Sequence, residues 1–156
     1  GKPSALGAVT GMVAGLGSIT PASGFVGPAG GLMIGIIGGF VCFHATNIIK
    51  LKLHIDDSLD VFPVHGVGGA LGTILAAVFA SASLGVFSGQ GYNEGMNMAS
   101  QLQVQIVGIA STFVYTAIVT FILLKLVDKM LGLRINEEDE TKGLDLAEHD
   151  ERGYDL

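Results

Sequence analysis

The chain has 156 residues and a formal net charge of −6, yet it carries no Asp, Glu, Lys or Arg between Lys2 and Lys50, from Val61 to Asn93, or from Gly95 to Leu124. A soluble domain keeps a wet face on its helices and strands, whereas a bilayer span needs about 20 mostly apolar residues, so these runs exclude an ordinary soluble fold. Over 1–133 five basic residues (Lys2, Lys50, Lys52, Lys125, Lys129) balance five acidic ones (Asp56, Asp57, Asp60, Glu94, Asp128), so the net charge resides in the tail and no basic stripe is available for nucleic acid.

The first predicted span covers about 4–20 and stops at Pro21, inside the breaker cluster Thr20-Pro21-Ala22-Ser23-Gly24. The chain opens on Gly rather than Met, and Lys2-Pro3-Ser4 leads straight into an apolar run. It is therefore expected to be an incomplete product, without a signal peptide. The second span, about 28–49, ends at Lys50 and Lys52. It holds Cys42, the only cysteine, which excludes an intrachain disulfide and a Cys-based zinc site. The third span, about 61–82, precedes a Gly/Ser-rich loop over 83–95. The fourth, about 96–131, has no Gly or Pro after Gly108. At 1.5 Å per residue it is on the order of 50 Å long, so it is expected to be strongly tilted or to project beyond the membrane. Its early Gln101, Gln103 and Gln105 suit an interfacial or protein-facing start.

The apolar runs are continuous rather than alternating, which excludes a β-barrel. Gly7, Gly11 and Gly15, then Gly31, Gly35 and Gly39, then Gly68 and Gly72 recur at a spacing of four. Each series lies on one helix face, where a missing side chain lets backbones approach. The expected fold is an all-α, polytopic membrane bundle over 1–133, followed by an acidic tail over 134–156. Lys2, Lys50 with Lys52, and Lys125, Lys129 and Arg134 all fall on one side of four antiparallel spans, while the loops 20–27 and 83–95 have no Lys or Arg. The positive-inside rule makes the basic side, and with it the tail, cytoplasmic.

His65 is the leading functional candidate, because it lies just inside a span otherwise free of ionisable groups, and such residues are costly at membrane depth. Its two ring nitrogens can pass or share a proton; the plain alternative is a neutral histidine making one interhelical hydrogen bond. His44 lies near the basic end of its span, where a polar tip reaches the interface, and His54 is expected in the solvated loop. No histidine pair has helical metal-ligand spacing, so neither a metal nor a cofactor is expected. Asp56, Asp57 and Asp60 cluster where the third span begins. They either cap the helix N-terminus or draw cations to the mouth of a path. Pro63 is harmless if Asp60 is the N-cap and kinks the helix if it starts near Asp57. The tail reads as a disordered, solubilising end or, through Leu144, Leu146 and Tyr154, as a segment docked on the cytoplasmic face.

Gly1-Lys2-Pro3-Ser4, Ala14-Gly15-Leu16 running into Ile19-Thr20-Pro21-Ala22, the block Asp56-Asp57-Ser58-Leu59-Asp60-Val61-Phe62, Val64-His65-Gly66 and the tail's Gly143-Leu144-Asp145 resemble the ammonium transporters (the ammonium transporter, methylammonium permease and Rhesus family), most closely the bacterial and archaeal members. The resemblance covers the whole chain and implies the last four of eleven helices of an inverted-repeat fold, in a homotrimer of the plasma membrane with a role in nitrogen metabolism. It implies a narrow hydrophobic pore for ammonium or ammonia lined by a pair of histidines, with His65 as one of them, Val61 as a pore-lining residue one turn earlier, and Asp57 and Asp60 at the cytoplasmic mouth. It also implies that the tail, at Gly143, Leu144 and Asp145, contacts the neighbouring subunit and couples to PII-type regulators. Pro63 departs from the small residue expected there. A non-transporting ammonium sensor on the same scaffold is the alternative. Such sensors usually carry an appended signalling domain; none is expected here, and the expectation is therefore a transporter. No nucleophile–base or metal constellation supports an enzyme.

Overall fold

Among the described residues, four helices are long and apolar enough to cross a membrane, covering Ala5–Ala22, Pro28–Lys52, Phe62–Phe79 and Met98–Leu131. The computed structural model describes residues 5–153; Lys2, Ser4 and Tyr154 lie outside the described residues. Two compact units divide the chain, one ending at Ser111 and the other beginning at Thr112.

In the first unit, α1 (Ala5–Ile19) tightens into a 3₁₀ turn, Thr20–Ala22, at Pro21. α2 (Pro28–Asn47) begins with proline in its first position, where the missing N–H has no helical partner anyway. It runs on into a π-helical turn, Ile48–Lys52. A second π-helical turn, Phe62–Val67, leads into α3 (Gly68–Phe79). Polar side chains inside these helices turn back on their own backbones. Thr10 Oγ1 donates to Leu6 O (3.0 Å), Thr20 Oγ1 to Leu16 O (2.7 Å), Asn47 Nδ2 to Phe43 O (3.0 Å) and Thr73 Oγ1 to Gly69 O (2.8 Å). In lipid no water would satisfy these groups, so the helix does.

Each of the three helices buries one stripe of small or medium residues at a spacing of four. They are Ala14, Ser18 and Ala22 on the first; Gly30, Ile34, Gly38 and Cys42 on the second; and Val64, Gly68, Gly72 and Ala76 on the third. The stripes meet at Ser18, whose side chain is fully buried. A Cβ added at Gly38 would collide with the Ser18 side chain, and one at Gly72 with the Ser18 carbonyl. One at Gly68 would lie 3.0 Å from Cys42 Sγ and 3.1 Å from Ser18 Oγ. The spacing of four is therefore the right signal; the third helix buries the expected register, while the first and second bury the neighbouring one and bring the expected glycines close only where Gly15 meets Gly35 and Gly31 meets Ile19. On α2 the buried series is shifted by one residue, and Gly35 and Gly39 have no atom near their would-be Cβ; on α1 the same holds for Gly11, while Gly15 does meet Gly35, 3.7 Å from its carbonyl.

The loop after α3 contains a 3₁₀ turn, Gly85–Phe87, and is tied down by backbone hydrogen bonds. Gly89 N–H donates to Ser81 O (2.9 Å), Gln90 N–H to Phe25 O (2.9 Å) and Gly91 N–H to Ala80 O (2.7 Å). Gly89 must be glycine for this, since a Cβ there would strike the Phe79 and Phe25 carbonyls. α4 (Met98–Leu131) has 34 residues, about 51 Å at 1.5 Å per residue, so the fourth span is as long as its sequence requires. In the second unit the tail forms two short helices, α5 (Glu137–Lys142) and α6 (Leu144–His149), rather than a featureless chain.

Gly72→Ala is expected to destabilise the protein by about 1–3 kcal/mol, because the added methyl meets immovable backbone, whereas Gly39→Ala is expected to be neutral. Thermal unfolding of the detergent-solubilised variants checks this, and equal melting temperatures for the two would contradict the packing described.

Candidate functional site

The site grows from how the helix carrying His65 begins. A helix start leaves its first N–H groups without partners, and here every one is accounted for. Asp60 N–H donates to Asp57 O at 3.2 Å. Val61 N–H and Phe62 N–H each donate to the Asp57 carboxylate at 2.9 Å. Pro63 has no N–H to satisfy, and Val64 N–H makes the first helical bond, to Asp60 O, at 3.0 Å. The first of the two sequence alternatives holds in position, and the second, a helix starting near Asp57 and kinked at Pro63, does not. The helix starts where an Asp60 cap would put it, so Pro63 sits in the first turn and is harmless, but the capping carboxylate is that of Asp57.

Asp60 is not free to cap, because its backbone is left-handed (φ +56°) and its carboxylate pairs with Lys50 Nζ at 2.7 Å. Lys50 also donates to Ser58 O at 3.4 Å. Asp and Asn tolerate this backbone region better than other side chains. The sequence reading had assigned Lys50 no role beyond orientation. The pair spans a reversed loop, and only the closeness of a basic helix end to an acidic cluster hinted at it.

Beyond Pro63 the backbone widens into the π turn, with Gly68 N–H donating to Pro63 O. Such turns re-aim the side chains they carry and are frequent at functional sites. His65 lies within it and is exposed. α1 approaches here through Gly17, whose would-be Cβ lies 3.5 Å from Val64 O and 4.0 Å from His65 Nδ1. His65 and Val61 share an open groove of about 590 Å³ with Ile49, Leu53, Phe62 and Asp57. Val61 is 52% exposed, so the groove is open and not an enclosed cavity. Asp57 thus stands both at the groove and at the helix cap, and Asp60 beside it on Lys50. Among the described residues no cluster of His, Cys, Asp and Glu could hold a metal ion. His44 faces Phe40 and Phe43 edge-on, with ring centroids 4.5 and 5.5 Å away. His54, in the loop, is exposed and left-handed (φ +53°).

In the tail, Asn136 caps α5 by accepting from Asp139 N–H at 2.9 Å, and Arg134 reaches both oxygens of Glu140 at 2.9 and 3.2 Å. Hydrogen bonds from Asn136 and from Lys142 hold the Asp139 carboxyl below the ordinary carboxylate range. Gly143 joins the two helices at φ +96°, a conformation that side chains avoid, and its carbonyl accepts Ala147 N–H at 2.9 Å. Leu144 beside it is 52% exposed, and Asp145 O accepts Glu151 N–H at 3.1 Å.

Long apolar helices joined through small residues, with an imidazole set at a capped, π-turned helix entry, define a polytopic helical membrane protein. The chain belongs to the Ammonium Transporter Family, whose model matches residues 1–154. It is 48% identical over 153 residues to the ammonium transporter of Bacillus subtilis, covering 98% of this chain and 37% of that protein. It is 40% identical over 154 residues to the ammonium transporter Amt1 of Archaeoglobus fulgidus, covering 99% of this chain and 38% of that one. A solved structure described as a sensor Amt protein matches with a TM-score of 0.80 and 32% identity, over 95% of this chain and 35% of that chain. The chain thus spans little more than a third of the length of these relatives.

Asp57→Ala is expected to expose the Val61 and Phe62 amides and cost about 1–2 kcal/mol of local stability. Hydrogen exchange at those two amides, faster in the variant than in wild type, is the check; unchanged exchange would deny Asp57 its capping role.

Proposed function

We propose that this chain is the C-terminal part of an ammonium transporter, the last four of eleven helices in a homotrimer of the plasma membrane. Its task there is to conduct ammonium or ammonia through a hydrophobic passage. The observation that carries this reading is the groove in which His65 and Val61 lie together, open on the side where a further part of the protein would close it. His65 is one of two facing histidines, the other being supplied from outside this chain, and Val61 lines the passage one turn earlier. Asp57 and Asp60 stand at the cytoplasmic mouth. α4 crosses the membrane tilted, and the tail, at Gly143, Leu144 and Asp145, reaches a neighbouring subunit and PII-type regulators.

Each ring of a histidine pair can donate or accept one hydrogen bond. An ammonium ion can therefore give up its proton at the pair and continue as a neutral molecule. Hydrated sodium and potassium have no proton to give and cannot replace their water in an apolar lining. The structural likeness to a sensor Amt protein supports a second reading, a non-transporting sensor on the same scaffold, and measured flux separates the two.

In the full-length protein reconstituted into proteoliposomes, His65→Ala is expected to lose ammonium current or to weaken discrimination against potassium, with the same amount of folded protein. Identical current and selectivity in wild type and variant would reduce His65 to a packing residue, and a wild type without ammonium flux would favour the sensor.

The positive ends Lys50 with Lys52 and Arg134 support a topology with the tail in the cytoplasm and the loop 83–95 outside. A Glu94→Cys variant in a Cys42→Ser background is expected to react with an impermeant thiol reagent added from outside; reaction from the cytoplasmic side alone would invert the topology.

A further inference from the structure

Nine residues lie between Lys50 and Asp60, and the chain reverses there through the left-handed His54 and Asp60 itself. Lys50 belongs to the π turn that ends the second span, and its ammonium returns across this loop to Asp60 and to the Ser58 carbonyl. The Asp60 side chain is only 17% exposed, so without Lys50 a largely buried carboxylate would lose its counter-charge. The Asp60 carbonyl in turn accepts the first helical hydrogen bond, from Val64 N–H, next to His65. The first turn of the His65 helix is thus fastened twice, by Asp57 from within the loop and by Lys50 from the end of the preceding span.

We infer that Lys50 and Asp60 are positioning residues, a clasp that sets where the His65 imidazole stands in the groove. The inference rests on the reading of that groove as one wall of a conduction path. His65 follows Asp60 by five residues, little more than one helical turn. The stretch between them is in π and not α geometry, whose looser ladder resists displacement less. Opening the clasp therefore shifts the ring without melting the helix, because the Asp57 cap remains. Lys52 is the natural control: it has the same charge two residues away, is exposed, and makes no ion pair among the described residues.

The test uses the full-length protein in proteoliposomes, comparing ammonium with potassium current for Lys50→Met, Asp60→Asn, their combination, Lys50→Arg and Lys52→Met. Asparagine is chosen at 60 because it accepts the left-handed backbone. Lys50→Met and Asp60→Asn are each expected to lower the ammonium-to-potassium ratio about fivefold, the scale of one partly exposed ion pair. The combination should be no worse than either single change, while Lys50→Arg and Lys52→Met keep the wild-type ratio. Hydrogen exchange at the amides from Val61 to His65 is measured alongside and should quicken in Lys50→Met but not in Lys52→Met. Unchanged ratios in a conducting protein, or an equal fall in Lys52→Met, would overturn the clasp. If wild type carries no ammonium current, the transport reading fails, and the exchange data alone decide whether Lys50 holds this turn.

Discussion

Three helix backbones meet at Ser18 because Gly38, Gly68 and Gly72 offer no side chain where it sits. Helices in lipid gain nothing from hiding apolar surface from one another, since lipid tails are as apolar as leucine; their association depends on close van der Waals packing and on hydrogen bonds. The buried stripes of small residues supply that contact from Ala14 to Ala22 on the first span, Gly30 to Cys42 on the second and Val64 to Ala76 on the third. Among the described residues the Ser18 hydroxyl has no oxygen or nitrogen partner, and the Cys42 sulfur, a weak acceptor, lies on the same side of Gly68. A bulkier residue at any of these glycines forces the helices apart. The His65 helix is one of the three, so the ring's place depends on this junction.

From that junction the geometry runs outward to the site. Val64, adjacent to His65, clusters with Ala14 and Cys42, and Gly17 lets α1 pass close to the imidazole. At the other end of the first turn, Asp57 supplies both acceptors that Val61 and Phe62 need. Pro63 removes the one N–H that would otherwise have had none. A side-chain cap and a proline together let the helix start cleanly at a groove where no water or backbone partner is guaranteed, and the π turn that follows directs the histidine into it.

The element order and the length of each span were legible because charge-free runs of this length leave little choice but to cross a membrane. The register of the packing was less so, for a definite reason. α2 carries Gly30, Gly31, Gly35, Gly38 and Gly39, so two series spaced by four coexist on it. Ile34 and Cys42 complete the buried one, and neither announces itself as a contact residue. On α3 Gly68 and Gly72 form a single series, and there the sequence reading and the structure agree. His65 was visible because an ionisable side chain in an apolar run is an anomaly. The choice between Asp57 and Asp60 as cap was not visible, because it turns on a left-handed backbone and on an ion pair across a loop, and neither follows from local composition.

The exposure of His65 is informative in its own right. A histidine facing hydrocarbon would leave two ring nitrogens without partners, which is costly at membrane depth. Yet in this chain the ring lies open beside Val61 and Phe62, which are themselves half exposed. A polar ring on an otherwise apolar wall is stable only if another protein surface covers it and presents a group that can share a hydrogen bond. The covering surface has to be mostly apolar to match Val61, Phe62, Ile49 and Leu53, and it has to bring one polar atom to His65. On the proposed transport reading, those two demands amount to a dry passage with a single hydrogen-bonding station, which would suit a small solute able to exchange a proton and obstruct an ion that must keep its water.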